Sequence, residues 1–343
     1  MKKFLNTLFV STQGAYLNKE GEAVVVSVER EVRLRVPVHT LGGIVCFGNV
    51  LCSPFLMHHC AAHGVLISFM SEHGRFLARV QGPVSGNVLL RRAQYRAAET
   101  AATRLELARS FVLGKIANGR SVLQRALRDH GEKGGLDLVD FAVKRLSAMV
   151  RPIQAAADVD ALRGYEGDAG HIYFSVFDSL ITAQKDAFSF QERTRRPPLD
   201  PVNALLSFVY TLLAHDCVAA LEGVGLDPQV GYLHADRPGR PSLALDVMEE
   251  FRPVFADRLV LSLINLKQVS AKGFKRTESG AVEMTEDTRK TVLVAYQQRK
   301  QEELMHPFLE ESAPLGLFFH LQALLLARHL RGDLDGYPPA IWK

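Results

Sequence analysis

Val88-Leu89-Leu90-Arg91-Arg92-Ala93-Gln94-Tyr95-Arg96-Ala97-Ala98-Glu99 opens a proline-free stretch that runs to Asn118, and it marks where the chain changes period. Ala, Arg, Leu and Glu dominate it, and apolar residues recur at three- and four-residue intervals. The pattern predicts one long helix stopped at Gly119. Upstream the texture differs. Leu5 to Ser11, Ala23 to Val28, Glu31 to Val38, Gly43 to Phe47, Val65 to Met70 and Phe76 to Val80 are short runs rich in Val, Ile and Phe, bounded by turn residues. Asn18-Lys19-Glu20-Gly21 reads as a hairpin loop, and the alternation Arg30-Glu31-Val32-Arg33-Leu34-Arg35-Val36 as a strand with one wet face. Ser53, Pro54 and Gly64 suit the cap, first position and stop of a short helix.

Downstream, helices fit Leu136 to Met149, Asp158 to Ala183, Pro201 to Leu221, Leu243 to Val269 with a kink at Pro253, Glu286 to Met305 and Leu315 to Leu330. The expected fold is α+β. An N-terminal β-rich, sandwich-like domain over 1–85 precedes a larger all-α C-terminal domain over 86–343, with 86–118 as the connecting helix.

The chain has 343 residues, more than one core usually serves, which agrees with two domains. Apolar residues make up 47% and charged residues 23%, which excludes disordered, collagen-like and disulfide-scaffold classes. Lys plus Arg number 41 and Asp plus Glu 37, so a polyanionic partner depends on how charge is distributed, not on its sum. Cys46, Cys52, Cys60 and Cys217 form no paired spacing and read as reduced thiols in a cytoplasmic protein. Polar residues from Asn6 to Gln13 interrupt any signal-like run after Met1-Lys2-Lys3-Phe4. Val202 to Leu221 carries Asn203, His215 and Asp216 and reads as a buried helix, so no membrane span is expected.

Three places in the helical half carry unusual polar residues. In Gly164-Tyr165-Glu166-Gly167-Asp168-Ala169-Gly170 the glycines oppose helix formation, which suggests either a close backbone approach or an acid in a first helical turn. Gly231-Tyr232-Leu233-His234 precedes a Pro/Gly turn, and Ser242 to Pro253 follows it. Asp246 and Glu249 share one face of that apolar segment, and two carboxylates so placed call for a cation between them. With Glu166 and His234 they make a candidate set for Mg²⁺ or Mn²⁺, set against solvated acids and a core histidine. From His234 to Arg276 cations outnumber acids, and Arg193, Arg195 and Arg196 add a second basic patch. Metal-binding acids ringed by cations would suit a phosphodiester substrate; the plainer reading is a solvated helix face. Arg195, Arg196, Arg252, Lys272 and Lys275 are the candidate DNA-backbone contacts.

Gly164-Tyr165-Glu166-Gly167, Pro197-Pro198-Leu199-Asp200-Pro201-Val202-Asn203-Ala204-Leu205-Leu206-Ser207, Gly231-Tyr232-Leu233-His234 and Ser242 to Pro253 occur in this order. Together they resemble the Cas-one integrase family of CRISPR adaptation over nearly the whole chain, and the wording around His234 resembles its subtype I-C branch. The resemblance implies a β domain followed by a helical domain with one metal site. It also implies a homodimer that assembles with the Cas-two protein and inserts short DNA into a repeat array by attack of a 3′-hydroxyl. Carried over by position, the metal ligands and catalytic residues would be Glu166, His234, Asp246 and Glu249. Glu249 stands where many relatives have Asp, and Glu250 is its rival. Two other functions fit the residues: a general metal-dependent nuclease on branched repair intermediates, and a DNA-binding scaffold with structural carboxylates. His58, His59, Cys60 and His63 pose a separate choice between a zinc site and a short helix packed on the β domain; with only the His59/His63 spacing suitable, the helix is preferred.

Overall fold

The computed structural model describes residues 6–72, 74, 76–80, 82, 88–130 and 136–342; the readings that involve Met1 to Leu5 and the boundary at 85/86 fall outside them. It divides into two compact units. The first comprises Met1–Gly86 with Val292–Leu304 and Ala313–Phe318, and the second comprises Asn87–Thr291, Met305–Ser312 and Phe319–Lys343.

The first unit holds two four-stranded sheets. Strands β1 (Asn6–Val10), β5 (Leu41–Phe47), β7 (Leu66–Met70) and β8 (Phe76–Val80) lie in that order, parallel except for the antiparallel β7/β8 pair. The second sheet runs β4 (Glu31–Pro37), β3 (Ala23–Val28), β2 (Tyr16–Glu20), β6 (Leu51–Cys52). Leu17, Val24 and Val26 from one sheet and Val10, Ile44, Cys46 and Ile67 from the other meet in one core with Leu56 and Cys60 of helix α1 (Pro54–Ala62). The Ser53 hydroxyl accepts from the Leu56 amide at 3.2 Å, and Gly64 stops α1 with φ +68°.

Two expectations shift here. Asn18, Lys19 and Glu20 pair with Val25, Val24 and Ala23 as part of β2, so the turn is only Gly21-Glu22, with Gly21 at φ +57°. The alternating segment forms β4 as expected, but it is an edge strand whose Val32 and Leu34 are exposed in the single chain.

The second unit is helical. Its helices are α2 (Val88–Glu99), α3 (Ala101–His130), α4 (Asp137–Ala148), α5 (Val150–Gln154), α6 (Val159–Ser175), α7 (Pro201–Val224), α8 (Ser242–Phe251) and α9 (Arg258–Asn265); α10 (Glu286–Lys300) and α11 (Leu315–Leu330) each cross a unit boundary. The long helix predicted from Val88 breaks at Thr100, and α3 runs through Gly119 rather than ending there. Gly119 sits inside α3, where a β-carbon would meet the Tyr173 ring at an ordinary contact distance of 3.5 Å, so it neither ends the helix nor makes room for a close approach. Pro253 does interrupt its helix, as a π-helical stretch from Arg252 to Asp257 between α8 and α9. The chain expected to stay helical to Met305 leaves α10 at Lys300 and forms a short strand, Glu303–Met305. α7 is long and apolar enough to cross a membrane by length and composition, yet most of its apolar stretch (61%) is buried within the protein, as a core helix would be.

Candidate metal centre and basic surface

The turn from Gly231 to His234 is built around one side chain. Asp246, fully buried on α8, accepts the amides of Tyr232 at 2.6 Å and Leu233 at 3.0 Å on one carboxylate oxygen. The other oxygen takes the His234 amide at 2.9 Å and faces His234 Nδ1 at 2.6 Å. Carbonyls of the same turn are held from outside: Arg104 donates to Tyr232 O and Arg163 to Leu233 O. A β-carbon on Gly231 would lie 2.8 Å from Ser242 Cβ and 3.0 Å from Asp246, so only glycine lets the turn seat on α8. With Nδ1 facing a carboxylate, Nδ1 carries the proton and Nε2 presents its lone pair.

Nε2 of His234 points toward Glu249, 3.9 Å from its Oε1. Glu249 is also fully buried. Arg252 approaches the same oxygen at 2.6 Å, and Lys115 of α3 approaches the other at 2.9 Å. These are ion pairs without aligned hydrogen bonds, so both Glu249 oxygens lack a geometrically sound donor. Burial pushes the Glu249 carboxyl up, but Arg252 and then Lys115 outweigh it and hold it well below the usual carboxylate range. Lys115 also donates to Glu166 on α6, so the ammonium sits between the two acids. Glu249, His234 and Glu166 are donor types that suit a divalent cation, but their ligand atoms do not all lie within 4.8 Å of one another as they stand, with the Lys115 ammonium between the two acids. Asp246 has both oxygens engaged elsewhere and faces the imidazole as its orienting partner.

Glu250 points into a different network. Tyr337 donates to one oxygen at 2.6 Å, and the Ala340 amide at 2.7 Å and Gln322 at 3.0 Å to the other. Burial pushes its carboxyl up to about 7 despite these donors. Glycine makes room for it, since a β-carbon on Gly114 would meet Glu250 Cγ at 3.0 Å. The other glycines singled out earlier, Gly164, Gly167 and Gly170, have nothing within 4 Å of a built β-carbon. They lie within α6, so the close approach of another protein element is not what they serve.

The two basic patches join. Arg276 donates to Leu199 O at 3.2 Å, and the Val282 amide to Pro198 O at 2.9 Å, fastening the hairpin of Phe274–Arg276 and Val282–Met284 to the Arg193 segment. Arg195, Arg196, Lys272 and Lys275 are exposed along it. Buried Asn203 closes the segment: its carbonyl oxygen accepts from Arg193 at 2.7 Å, and its amide donates to Glu192 O at 2.8 Å. Arg252 lies apart from the surface set, its side chain 14% exposed and engaged with Glu249. Arg193 and Arg252 both stack on the Tyr210 ring, at 5.3 and 5.2 Å, and Tyr210 donates to buried Asp257 at 2.6 Å. This stack links the basic loop to the acidic centre. Sequence reasoning missed Lys115 and Tyr210; a lone Lys or Tyr in an apolar helix carries no pattern, and only the packing of α3 and α7 on α8 reveals them.

A family profile described as CRISPR associated protein Cas1 matches residues 8–298. The CRISPR-associated endonuclease Cas1 1 of Chlorobaculum tepidum is 59% identical over 343 residues, covering all of both chains. Among solved structures, a casposase bound to an integration product superposes with a TM-score of 0.83 at 22% identity, over 98% of this chain and 94% of that one. A Cas6-RT-Cas1–Cas2 complex gives 0.82 at 21% identity, over 100% of this chain and 36% of that one.

Proposed function

The chain belongs to the Cas1 family of CRISPR adaptation and is a DNA endonuclease, and from that premise we propose that it is the metal-dependent integrase that inserts short DNA fragments into a repeat array. The observation that carries this reading is the Glu249 carboxylate, buried, held ionised by Lys115 and Arg252, without an aligned donor, and 3.9 Å from His234 Nε2.

Glu166, His234 and Glu249 would hold Mg²⁺ or Mn²⁺; once bound, the ion would polarise the scissile phosphoryl group and stabilise the oxygens that attack and leave. Asp246 acts one step back. It keeps the proton on Nδ1 and fixes the ring. Lys115, which lies between Glu166 and Glu249, would supply positive charge there to neutralise the phosphate. Arg252, stacked on Tyr210, holds Glu249 in place. Arg195, Arg196, Lys272 and Lys275 bind DNA backbone without regard to sequence, and the bare α6 face at Gly164 and Gly167 lets a strand approach Glu166. A 3′-hydroxyl of the incoming DNA attacks the repeat phosphodiester in line and expels the repeat's own 3′-oxygen; water in its place gives hydrolysis. No covalent protein intermediate is involved.

The same reading makes the β-rich residues 1–85 and the helical residues 86–343 separate domains, with catalysis in the latter. The chain acts in the cytoplasm, away from membranes, as a homodimer bound to a Cas-two protein, and belongs to the subtype I-C branch. The exposed Val32 and Leu34 on edge strand β4 support a self-contact, and the Cas1–Cas2 assembly named for a structural neighbour supports the partner. The test is strand transfer. Incubation with a 3′-hydroxyl DNA fragment, a repeat-bearing plasmid and Mn²⁺ should join the two DNAs, and Glu166→Ala, His234→Ala and Glu249→Ala should each abolish joining. Hydrolysis without joined product, in the presence of the Cas-two partner, would favour a repair nuclease. DNA unchanged by Mn²⁺ or Mg²⁺ would favour a scaffold.

A further inference from the structure

Helix α1 and the β2–β3 turn bring a group of polar side chains together. His59 and His63 are one turn apart on α1 and its C-cap, with ring centroids 4.3 Å apart. Glu22 stands opposite, in the turn after β2. One nitrogen from each imidazole and one Glu22 oxygen all lie within 4.8 Å of one another, the single set of three such side chains found among the described residues.

His59 is only 8% exposed, and its Nε2 is buried without a hydrogen-bond partner. That atom lies 3.4 Å from Glu22 Oε2. A tetrahedral ion with ligands at about 2.0–2.2 Å separates neighbouring ligand atoms by about 3.3–3.5 Å, so this pair already stands at metal-bridging distance. Nδ1 of His63 is 2.8 Å from the His59 carbonyl oxygen, so it is the protonated nitrogen and Nε2 carries the lone pair. The backbone under Glu22 is fixed, because its carbonyl accepts the Val38 amide at 2.9 Å. Cys60 takes no part: burial pushes its thiol up to about 12.

We propose that Glu22, His59 and His63 form a second metal site, taking Zn²⁺ or a similar borderline divalent ion with water as fourth ligand, and that it ties the Gly21-Glu22 turn to α1. Two imidazoles and one carboxylate select such an ion over Mg²⁺. A pair of histidines at i and i+4 on one helical face with a third ligand from elsewhere is a sound zinc geometry. The orphaned Nε2 of His59 thereby gains its partner.

The experiment uses the full-length chain stripped with chelator, titrated with Zn²⁺ against a chromophoric competitor and with Co²⁺ by visible absorption. His234→Ala serves as the background that disables the acidic centre. Glu22→Gln and His63→Gln change exposed side chains and leave the core intact, and circular dichroism checks that each folds. In the His234→Ala background one zinc equivalent should remain, with an intense tetrahedral Co²⁺ band. Glu22→Gln or His63→Gln added to that background should weaken binding at least tenfold and remove the band. In the otherwise unmodified chain each should leave DNA cleavage unchanged. The proposal is overturned if the His234→Ala chain binds no zinc, or if folded Glu22→Gln and His63→Gln chains bind it as tightly as their parent.

Discussion

Replacing Asp246 with Asn separates a residue that orients from a residue that ligates. Each carboxylate oxygen of Asp246 faces two donors: the amides of Tyr232 and Leu233 on one, the amide and Nδ1 of His234 on the other. Asparagine keeps one acceptor oxygen and turns the other into an NH₂ group. With the NH₂ toward Tyr232 and Leu233, two of these hydrogen bonds become donor-against-donor contacts in a fully buried site; with it toward His234, the His234 amide meets a donor and Nδ1 keeps its contact only by passing its proton to Nε2. Hydrogen bonds to a charged acceptor contribute about 1.5–3 kcal/mol each, so losing one or two costs about 1.5–6 kcal/mol. For a domain of this size 1 kcal/mol moves Tm by about 2–4 °C, so Asp246→Asn should melt at least about 3 °C below the parent. Differential scanning fluorimetry in EDTA, with guanidinium unfolding in parallel, measures this with no metal present. Glu249→Gln removes the buried partner of Arg252 and Lys115, so it should also melt below the parent in the same buffer. The reasoning fails if Asp246→Asn melts within 1–2 °C of the parent in EDTA, in rough terms a loss below 1 kcal/mol.

Other outcomes follow from the same geometry. Glu249→Gln should cut metal-dependent cleavage at least about 100-fold while DNA affinity measured in EDTA is kept, because it removes a ligand and not a phosphate contact. Neutralising Lys272 or Lys275 should weaken binding to all DNA sequences alike and reduce the slope of log K against log salt by about 1 per residue, as read by fluorescence anisotropy across a salt series. Glu250 has its carboxyl raised by burial from an ordinary 4.5 to about 7, so folding favours its protonated form. The stability this gives is complete below about pH 4.5 and is lost as pH rises through about 7; at about 1.4 kcal/mol per pH unit the change is about 3 kcal/mol. Glu250→Gln should therefore flatten the pH dependence of unfolding between pH 4.5 and 7, and an unchanged profile would refute the assignment.

The change from period two to period 3.6 near Val88 was legible because burial on one face forces periodicity in strands and helices alike. Ala23–Val28, Phe76–Val80 and Leu315–Leu330 fall where the pattern puts them. The break at Thr100 and the strand character of Asn18 to Glu20 were not legible, since partner strands and packing helices decide them. Within the centre, Asp246 and Glu249 could be read as sharing a face, but their division of labour could not. It depends on where the amides of Tyr232 to His234 point, which is fixed only when Gly231 seats on Ser242. Lys115 had no signal at all: its meaning comes from two acids on other helices.

The most direct test of the metal centre is an anomalous-scattering map from crystals soaked in Mn²⁺. One peak should lie in direct coordination with Glu166, His234 Nε2 and Glu249, with Lys115 withdrawn from between the acids and Asp246 still on His234 Nδ1. A peak bound through Asp246 instead, or Mn²⁺ absent from this centre at saturating concentration, would contradict the account.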